Sequence, residues 1–359
     1  MKEELKKYKG LVDEELEKLA GSVSGNESGF LKDSYDMLSE YILRGGKRLR
    51  AISCIKAYEA FSGKKEKRIL LPAISLELYH AASLVHDDIM DEDEIRRNKA
   101  SMHKLYQDMF LKKFSEKKYN GSVFSRESVR FGVSSGIIQG NMMFSLVLDC
   151  LVKSSFSSGL RSEAVMLIQD SYRKVNEGQL LDVYNEFSSE VGEKDYLEMA
   201  ALKTGNLFAT SLELGGVLAG IGVNERKLLH DFGVNIAIAF QIQDDLMDID
   251  SDSKKGNTFG SDIMKGKMTL LMINALGNCS DLERKEILKV FGKNTATKSE
   301  ILKVVDVFEK TGSIDRAKEL AEIHVEQGKE CLKGLEKRMS AEGYSFFSKL
   351  AEYMTERKV

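Results

Sequence analysis

Val85-His86-Asp87-Asp88-Ile89-Met90-Asp91 and Phe240-Gln241-Ile242-Gln243-Asp244-Asp245-Leu246-Met247-Asp248 each place the pattern D-D-x-x-D at the carboxyl end of a mostly apolar stretch. In a helix, positions four apart share a face, so Asp87 lies over Asp91 and Asp244 over Asp248. Like charges at that spacing destabilise a helix unless a cation lies between them. Two such pairs, each behind an apolar run, predict two helices facing one another across a cavity. The ligands offered are hard oxygens without cysteine or clustered histidine. That set favours Mg²⁺, which keeps several waters and takes the rest of its shell from substrate phosphates. The two stretches therefore predict magnesium-dependent chemistry on a diphosphate.

The composition agrees with a helical protein. With 359 residues, 42% of them hydrophobic, the chain can bury a sizeable core, and its only proline, Pro72, leaves helices uninterrupted. A formal net charge of -3 gives no reason to expect nucleic acid or an anionic membrane as partner. No stretch has the regions of a signal peptide, and no apolar run reaches the length of a membrane span, so a cytoplasmic protein is expected. Cys54, Cys150, Cys279 and Cys331 stand singly, in no metal or redox spacing, and read as buried free thiols of a reducing compartment.

Apolar periodicity predicts helices over 2–20, about 30–44, 47–61 and from Pro72 through the first acidic motif, then over about 129–153, 161–188, 194–219 and 224–250. Shorter helices follow to the end. Residues 113–128 are polar and read as a mobile loop. No strand alternation, nucleotide-binding glycine fingerprint or internal repeat is present beyond the doubled motif. The expected fold is all-α, a single domain over 1–359 with helices bundled around a central active-site cavity.

Several cations accompany the carboxylates. Gly45-Gly46-Lys47-Arg48-Leu49-Arg50 puts three cations at a predicted helix start, where free N–H groups and close backbone approach suit an anion. Alone, such a cluster is commonly solvated surface. Arg96 and Arg97 follow the first motif, and Lys203-Thr204 and Met264-Lys265-Gly266-Lys267-Met268-Thr269 add cation and hydroxyl pairs. Gln179 and Asp182 lie three apart on an apolar helix, where the plain reading is a buried hydrogen-bonded pair. His80 and His86 read as satisfied helical histidines, since Mg²⁺ prefers oxygen.

In their order along the chain these pieces resemble the trans-type (E-)isoprenyl diphosphate synthases of the polyprenyl synthetase family. The matching stretches are Gly45 to Arg50, Asp87 to Asp91, Arg96-Arg97, Gly178 to Asp182, Lys203-Thr204, Phe240 to Asp248 and Gly260 to Leu270, with Tyr353 to Lys358 similar to the family's basic carboxyl terminus. The resemblance implies Asp87, Asp91, Asp244 and Asp248 around two or three Mg²⁺ ions per site, with Asp88 and Asp245 as further ligands or supports. It implies Lys47, Arg50, His80 and Arg97 on isopentenyl diphosphate, and Arg96, Lys203, Thr204, Gln241 and Lys267 on the allylic diphosphate. The implied reaction is head-to-tail condensation of these two substrates, with Asp87, Asp88, Asp91, Arg96, Lys203, Asp244 and Lys267 at the chemistry. The implied assembly is a homodimer.

The chain departs from the family pattern in places. Gly256-Asn257-Thr258-Phe259-Gly260 lacks the usual lysine, leaving Lys254 and Lys255 as neighbouring cations. Asn98-Lys99-Ala100 replaces Gly-x-Pro after Arg97, Asn141 stands where aspartate is usual, and about 107–128 reads as an insertion. Helix geometry puts Ser83 and Tyr79 one and two turns before Asp87, about 6 and 12 Å along the axis. Small Ala82 and Ser83 leave a tunnel open and Tyr79 is its candidate floor, which predicts geranylgeranyl diphosphate (C20) as product. A longer product of C25 or more is the alternative. A terpene cyclase or head-to-head coupling enzyme has no need of Lys47, Arg50 and Arg97. A non-catalytic regulatory subunit is disfavoured by two complete acidic motifs.

Overall fold

Helical periodicity, one proline and few glycine breaks give a chain that is helical almost throughout. The computed structural model describes residues 1–23, 27–188, 190–250 and 259–355. Its helices are α1 Lys2–Val23, α2 Gly29–Leu43, α3 Leu49–Ser62, α4 Leu70–Met90, α5 Met102–Lys113, α6 Glu127–Val152, α7 Ser158–Phe187 and α8 Glu193–Ala200. A π-helical turn, Ala201–Gly205, joins α8 to α9 Asn206–Ala219. There follow α10 Val223–Asp248, α11 Ser261–Lys265, α12 Leu270–Asn278, α13 Asp281–Val290, α14 Lys298–Lys310, α15 Ser313–Leu335 and α16 Ala341–Thr355. The all-α expectation holds. Lys254, Lys255, Asn257 and the end of the Tyr353–Lys358 stretch lie outside the described residues.

The chain divides into two compact units. One holds residues 2–55 and 65–165; the other holds 56–64 and the chain from Met166 on. In the first, α4 and α6 run antiparallel: Tyr79 meets Phe144, His86 meets Ile137, and Ile89 comes up to Gly136. α5 lies on the same α6, with Met102 and Tyr106 buried. Residues 107–113 of the stretch read as an insertion belong to the packed helix α5, where Met102, Tyr106 and Met109 recur at helical spacing toward one face. Of the polar loop, Lys118 and Arg126 form an isolated antiparallel bridge.

In the second unit α10 is the central helix. Gly233 brings it against Ala209 of α9, and Gly328 of α15 lies on Ile236. Its apolar residues Ile238, Ile242 and Leu246 join a core with Tyr196, Leu270, Leu271, Phe308 and Leu320. Each such side chain, fully buried, contributes about 1.5–3 kcal/mol. Local signals set the later helix starts: Ser280 with Glu283 and Thr297 with Glu300 form reciprocal capping boxes.

Four sequence expectations change. The segment 194–219 is interrupted by the π turn. Ile95–Arg96 and Lys99–Ala100 form a small antiparallel hairpin. Cys54 and Cys150 are buried as expected, but Cys279 and Cys331 are partly exposed; all four are free. Two helical runs, Lys67–Met90 and Glu127–Val152, are long and apolar enough to cross a membrane by length and composition, with 67% and 39% of the relevant window buried in the protein. The first is thus largely core, whereas the second keeps an exposed apolar face.

The π turn depends on a glycine of α7. A Cβ at Gly178 would fall on the amide nitrogen of Lys203 and 2.8 Å from the Leu202 carbonyl carbon. Backbone meets backbone there, so no side-chain rotation can relieve the clash. We expect Gly178→Ala to destabilise the protein by about 1–3 kcal/mol in urea unfolding. Gly10→Ala, in α1 with nothing within 4 Å of the added carbon, should instead stabilise by about 0.5–1 kcal/mol. Equal effects of the two substitutions would refute the close approach.

Candidate active site

The first acidic motif occupies the last turn of α4. The Asp91 amide donates to the Asp87 carbonyl at 2.8 Å, closing the helix, and no basic residue stands in that turn. A helix carboxyl end carries partial negative charge, so carboxylates there raise the local demand for a cation. Asp88 is fully buried and points into the protein. It accepts from the Tyr41 hydroxyl at 3.2 Å and from Arg96 Nε at 2.6 Å, and Arg96 Nη2 also pairs with it. Burial pushes the Asp88 carboxyl up to about 6, against the pull of Arg96. Arg96 reaches Asp93 at 3.3 Å and Asp87 at 3.8 Å as well. The structure thus makes Asp88 an internal strut and engages Arg96 with the motif itself.

Arg96 and Arg97 are presented by the hairpin. Arg97 and Asn98 at its tip have φ of +56° and +59°, the left-handed pair that a two-residue hairpin requires. Asparagine tolerates this region and arginine does so at a cost of order 1–2 kcal/mol. The Asn98 that departs from the family pattern therefore suits the turn. Arg97 Nη1 donates to the Arg44 carbonyl at 2.9 Å, and its guanidinium lies over Gly46, where a Cβ would stand 3.3 Å away.

The three cations beside Gly46 have separate fates. Arg48 turns inward at φ +54° and is buried, its Nε on Asp13 at 2.9 Å and its Nη2 on the Arg44 carbonyl at 3.1 Å. Lys47 is exposed. Arg50 Nε is buried without a hydrogen-bond partner among the described residues. Burial and the nearby Arg97 hold Arg50 below its ordinary value, with Glu77 opposing. His80 is held well below its ordinary value by burial and by Arg50, Arg97, Arg96 and Arg48. A neutral imidazole among four guanidinium groups marks a place suited to an anion. Below it, Tyr79 is fully buried with its ring edge-on to Phe144 at 5.7 Å, Ala82 is buried, and Ser83 donates to the His80 carbonyl.

The second unit repeats the arrangement. The second motif ends α10, again with no basic residue in the last turn. Its middle carboxylate, Asp245, is buried and accepts from the Tyr196 hydroxyl at 2.7 Å and Gln241 Nε2 at 3.0 Å. Burial pushes Asp245 up to about 7. Gln241 Oε1 accepts from Thr204 at 3.0 Å, so Thr204, Gln241, Asp245 and Tyr196 form one chain. Asp248 accepts from the Asp262 amide at 3.0 Å, and Asp244 is half-exposed.

Beside it, Lys203 of the π turn donates to Asp182 at 2.6 Å. Lys267, just past the left-handed Gly266, donates to Asp182 at 3.1 Å and to Glu186 at 2.6 Å. Burial would raise Asp182, but Lys203 and Lys267 hold it below its ordinary value. Asp182 is therefore a salt-bridge acceptor for two lysines, a richer role than half of an amide pair. Tyr41, Tyr196 and Glu186 escape the sequence reading. Glu186 had a signal, standing four residues after Asp182 as Asp91 stands after Asp87; the tyrosines had none.

The donor chemistry fits magnesium. Asp87, Asp91, Asp244 and Asp248 offer hard carboxylate oxygens at helix carboxyl ends, and the middle aspartates are engaged inside the protein.

Comparison with known proteins agrees. The Polyprenyl synthetase family model matches residues 32–308. The chain is 30% identical over 94% of its length to the geranylgeranyl diphosphate synthase of Sulfolobus acidocaldarius, covering 93% of that protein. It is 29% identical to the geranylfarnesyl diphosphate synthase of Aeropyrum pernix, over 88% of this chain and 92% of that one. The crystal structure of the Corynebacterium glutamicum geranylgeranyl pyrophosphate synthase, complexed with isoprenyl diphosphate and magnesium, has a TM-score of 0.83 at 26% identity and covers 97% of each chain. Family model, relatives and fold agree with the doubled acidic helix ends: the chain belongs to the polyprenyl synthetase family and is a prenyltransferase.

Proposed function

We propose that this protein condenses isopentenyl diphosphate with an allylic diphosphate, head to tail and trans, to give geranylgeranyl diphosphate. The observation that carries the reading is the pair of acidic carboxyl ends of α4 and α10, neither with a basic residue in its last turn. Asp87, Asp91, Asp244 and Asp248 would hold the magnesium ions, with Asp88 and Asp245 supporting them from inside. When bound, those ions supply neutralisation of the charge that develops on the leaving diphosphate.

The chain's own groups do the rest. Lys47, Arg50 and Arg97, with neutral His80 among them, bind the diphosphate of the isopentenyl substrate. Lys203 and Lys267, oriented by Asp182 and Glu186, supply positive charge to the allylic diphosphate. Arg96, Thr204 and Gln241 complete that side through the contacts that hold them. The allylic C–O bond breaks with its electron pair on the diphosphate. The double bond of isopentenyl diphosphate attacks the allylic carbon, and a proton passes to the released diphosphate. Apolar walls exclude water that would otherwise trap the cation.

We read residues 1–359 as one catalytic domain and Tyr79, Ala82 and Ser83 as the product-length pocket. The Aeropyrum relative's geranylfarnesyl name favours C25 as the second reading. A homodimer is supported by Ile137 and Ile138, 45% and 58% exposed on α6. Four free cysteines support a cytoplasmic setting.

Purified protein is expected to incorporate radiolabelled isopentenyl diphosphate onto allylic starters and stop at C20 once the product is dephosphorylated and sized. No incorporation with any starter would refute the synthase reading. Asp87→Asn and Asp244→Asn should each lower kcat at least about a hundred-fold, and chelation of magnesium should abolish turnover. Tyr79→Ala should lengthen the product by at least one isoprene unit; an unchanged product would show that Tyr79 is core packing only. Sedimentation as a monomer would refute the dimer.

A further inference from the structure

His86 stands one residue before the acidic motif and takes no part in the chemistry above. Its half-buried ring lies against α6, with Nε2 3.2 Å from the Ile137 carbonyl oxygen. A carbonyl only accepts, so Nε2 carries the proton and donates. The ring occupies the place of a side chain at Gly140, where a Cβ would stand 2.7 and 2.8 Å from its Cδ2 and Cε1. One turn earlier on α6, Gly136 makes room for Ile89, whose Cδ1 would be 2.8 Å from an added Cβ.

His86 and Ile89 are three apart and share one face of α4. Asp88 leaves by another face toward Tyr41 and Arg96. The last turn of a helix is where backbone carbonyls lack partners and the end frays, and stacked carboxylates promote fraying. Two contacts on α6 and one on Tyr41 and Arg96 therefore set the rotation of this turn, and with it the direction of Asp87 and Asp91.

We propose that His86 is a positioning residue for magnesium: its Nε2–H bond to Ile137, made possible by the bare backbone of Gly140, holds the last turn of α4 so that Asp87 and Asp91 present their carboxylates together. This rests on the magnesium-dependent prenyl-transfer reading.

The test measures thermal stabilisation of the purified protein by magnesium with inorganic diphosphate, alongside steady-state kinetics. His86→Leu should raise the magnesium concentration at half-maximal stabilisation about ten-fold or more, with little change in KM for isopentenyl diphosphate. His86→Gln, which keeps an N–H near the Nε2 position, should stay within about three-fold of the parent protein. Gly140→Ala should behave like His86→Leu, and carries the test if that variant fails to fold, because it leaves the histidine in place and displaces only its ring. Added to His86→Ala, Gly140→Ala should have no further effect. A parental magnesium midpoint for His86→Leu, a His86→Gln variant as impaired as His86→Leu, or additive effects of His86→Ala and Gly140→Ala would overturn the proposal. A parent protein with neither magnesium-dependent stabilisation nor turnover would overturn the prenyl-transfer reading itself.

Discussion

Three carboxylates at the negative end of a helix are the constraint on which this structure turns. Peptide dipoles leave about half a negative charge at a helix carboxyl terminus, where lysine or arginine is usually favoured. Here α4 and α10 each end in aspartates. The protein answers the same way twice. The middle aspartate is drawn inward onto a tyrosine hydroxyl, Tyr41 for Asp88 and Tyr196 for Asp245, together with a second donor, Arg96 or Gln241. Burial raises both of these carboxyl groups, to about 6 and about 7. Asp87, Asp91 and Asp244 stay partly exposed at those helix ends.

The basic groups have different fates. Arg48 serves as a strut between Asp13 and backbone carbonyls, whereas Arg50 keeps a buried Nε with no hydrogen-bond partner among the described residues. Lys203 and Lys267 share Asp182, which fixes their direction. Glycines set these distances. Gly46 admits the Arg97 guanidinium, Gly178 admits the π turn, and Gly140 admits His86. At Gly178 and Gly140 a methyl group would overlap the neighbouring backbone or side chain, and at Gly46 it would crowd the guanidinium.

The helical architecture was legible because apolar residues recur with one period and the only proline, Pro72, falls in the first turn of α4. The expected ranges failed where local pattern is silent. Lys203-Thr204 sits in a π turn that ordinary helical periodicity does not reveal, since the extra residue is stabilised by packing against Gly178. The hairpin at Ile95–Ala100 is too short to show alternation. Part of the stretch read as an insertion at 107–128 is helix, with Met109 of α5 turned toward the interior.

By itself the sequence determined the all-α class, the two acidic motifs and the cations that accompany them. Helical spacing and residue chemistry are local properties, written in order along the chain. Tertiary structure alone decided which aspartate of each motif turns inward, which arginine becomes a strut, and that Tyr41 meets Asp88, Tyr196 meets Asp245 and Glu186 meets Lys267. Those outcomes depend on partners 21 to 85 residues away in the chain, on burial that shifts a carboxyl by units of pH, and on backbones brought together where glycine leaves space. None of these quantities exists until the helices have packed.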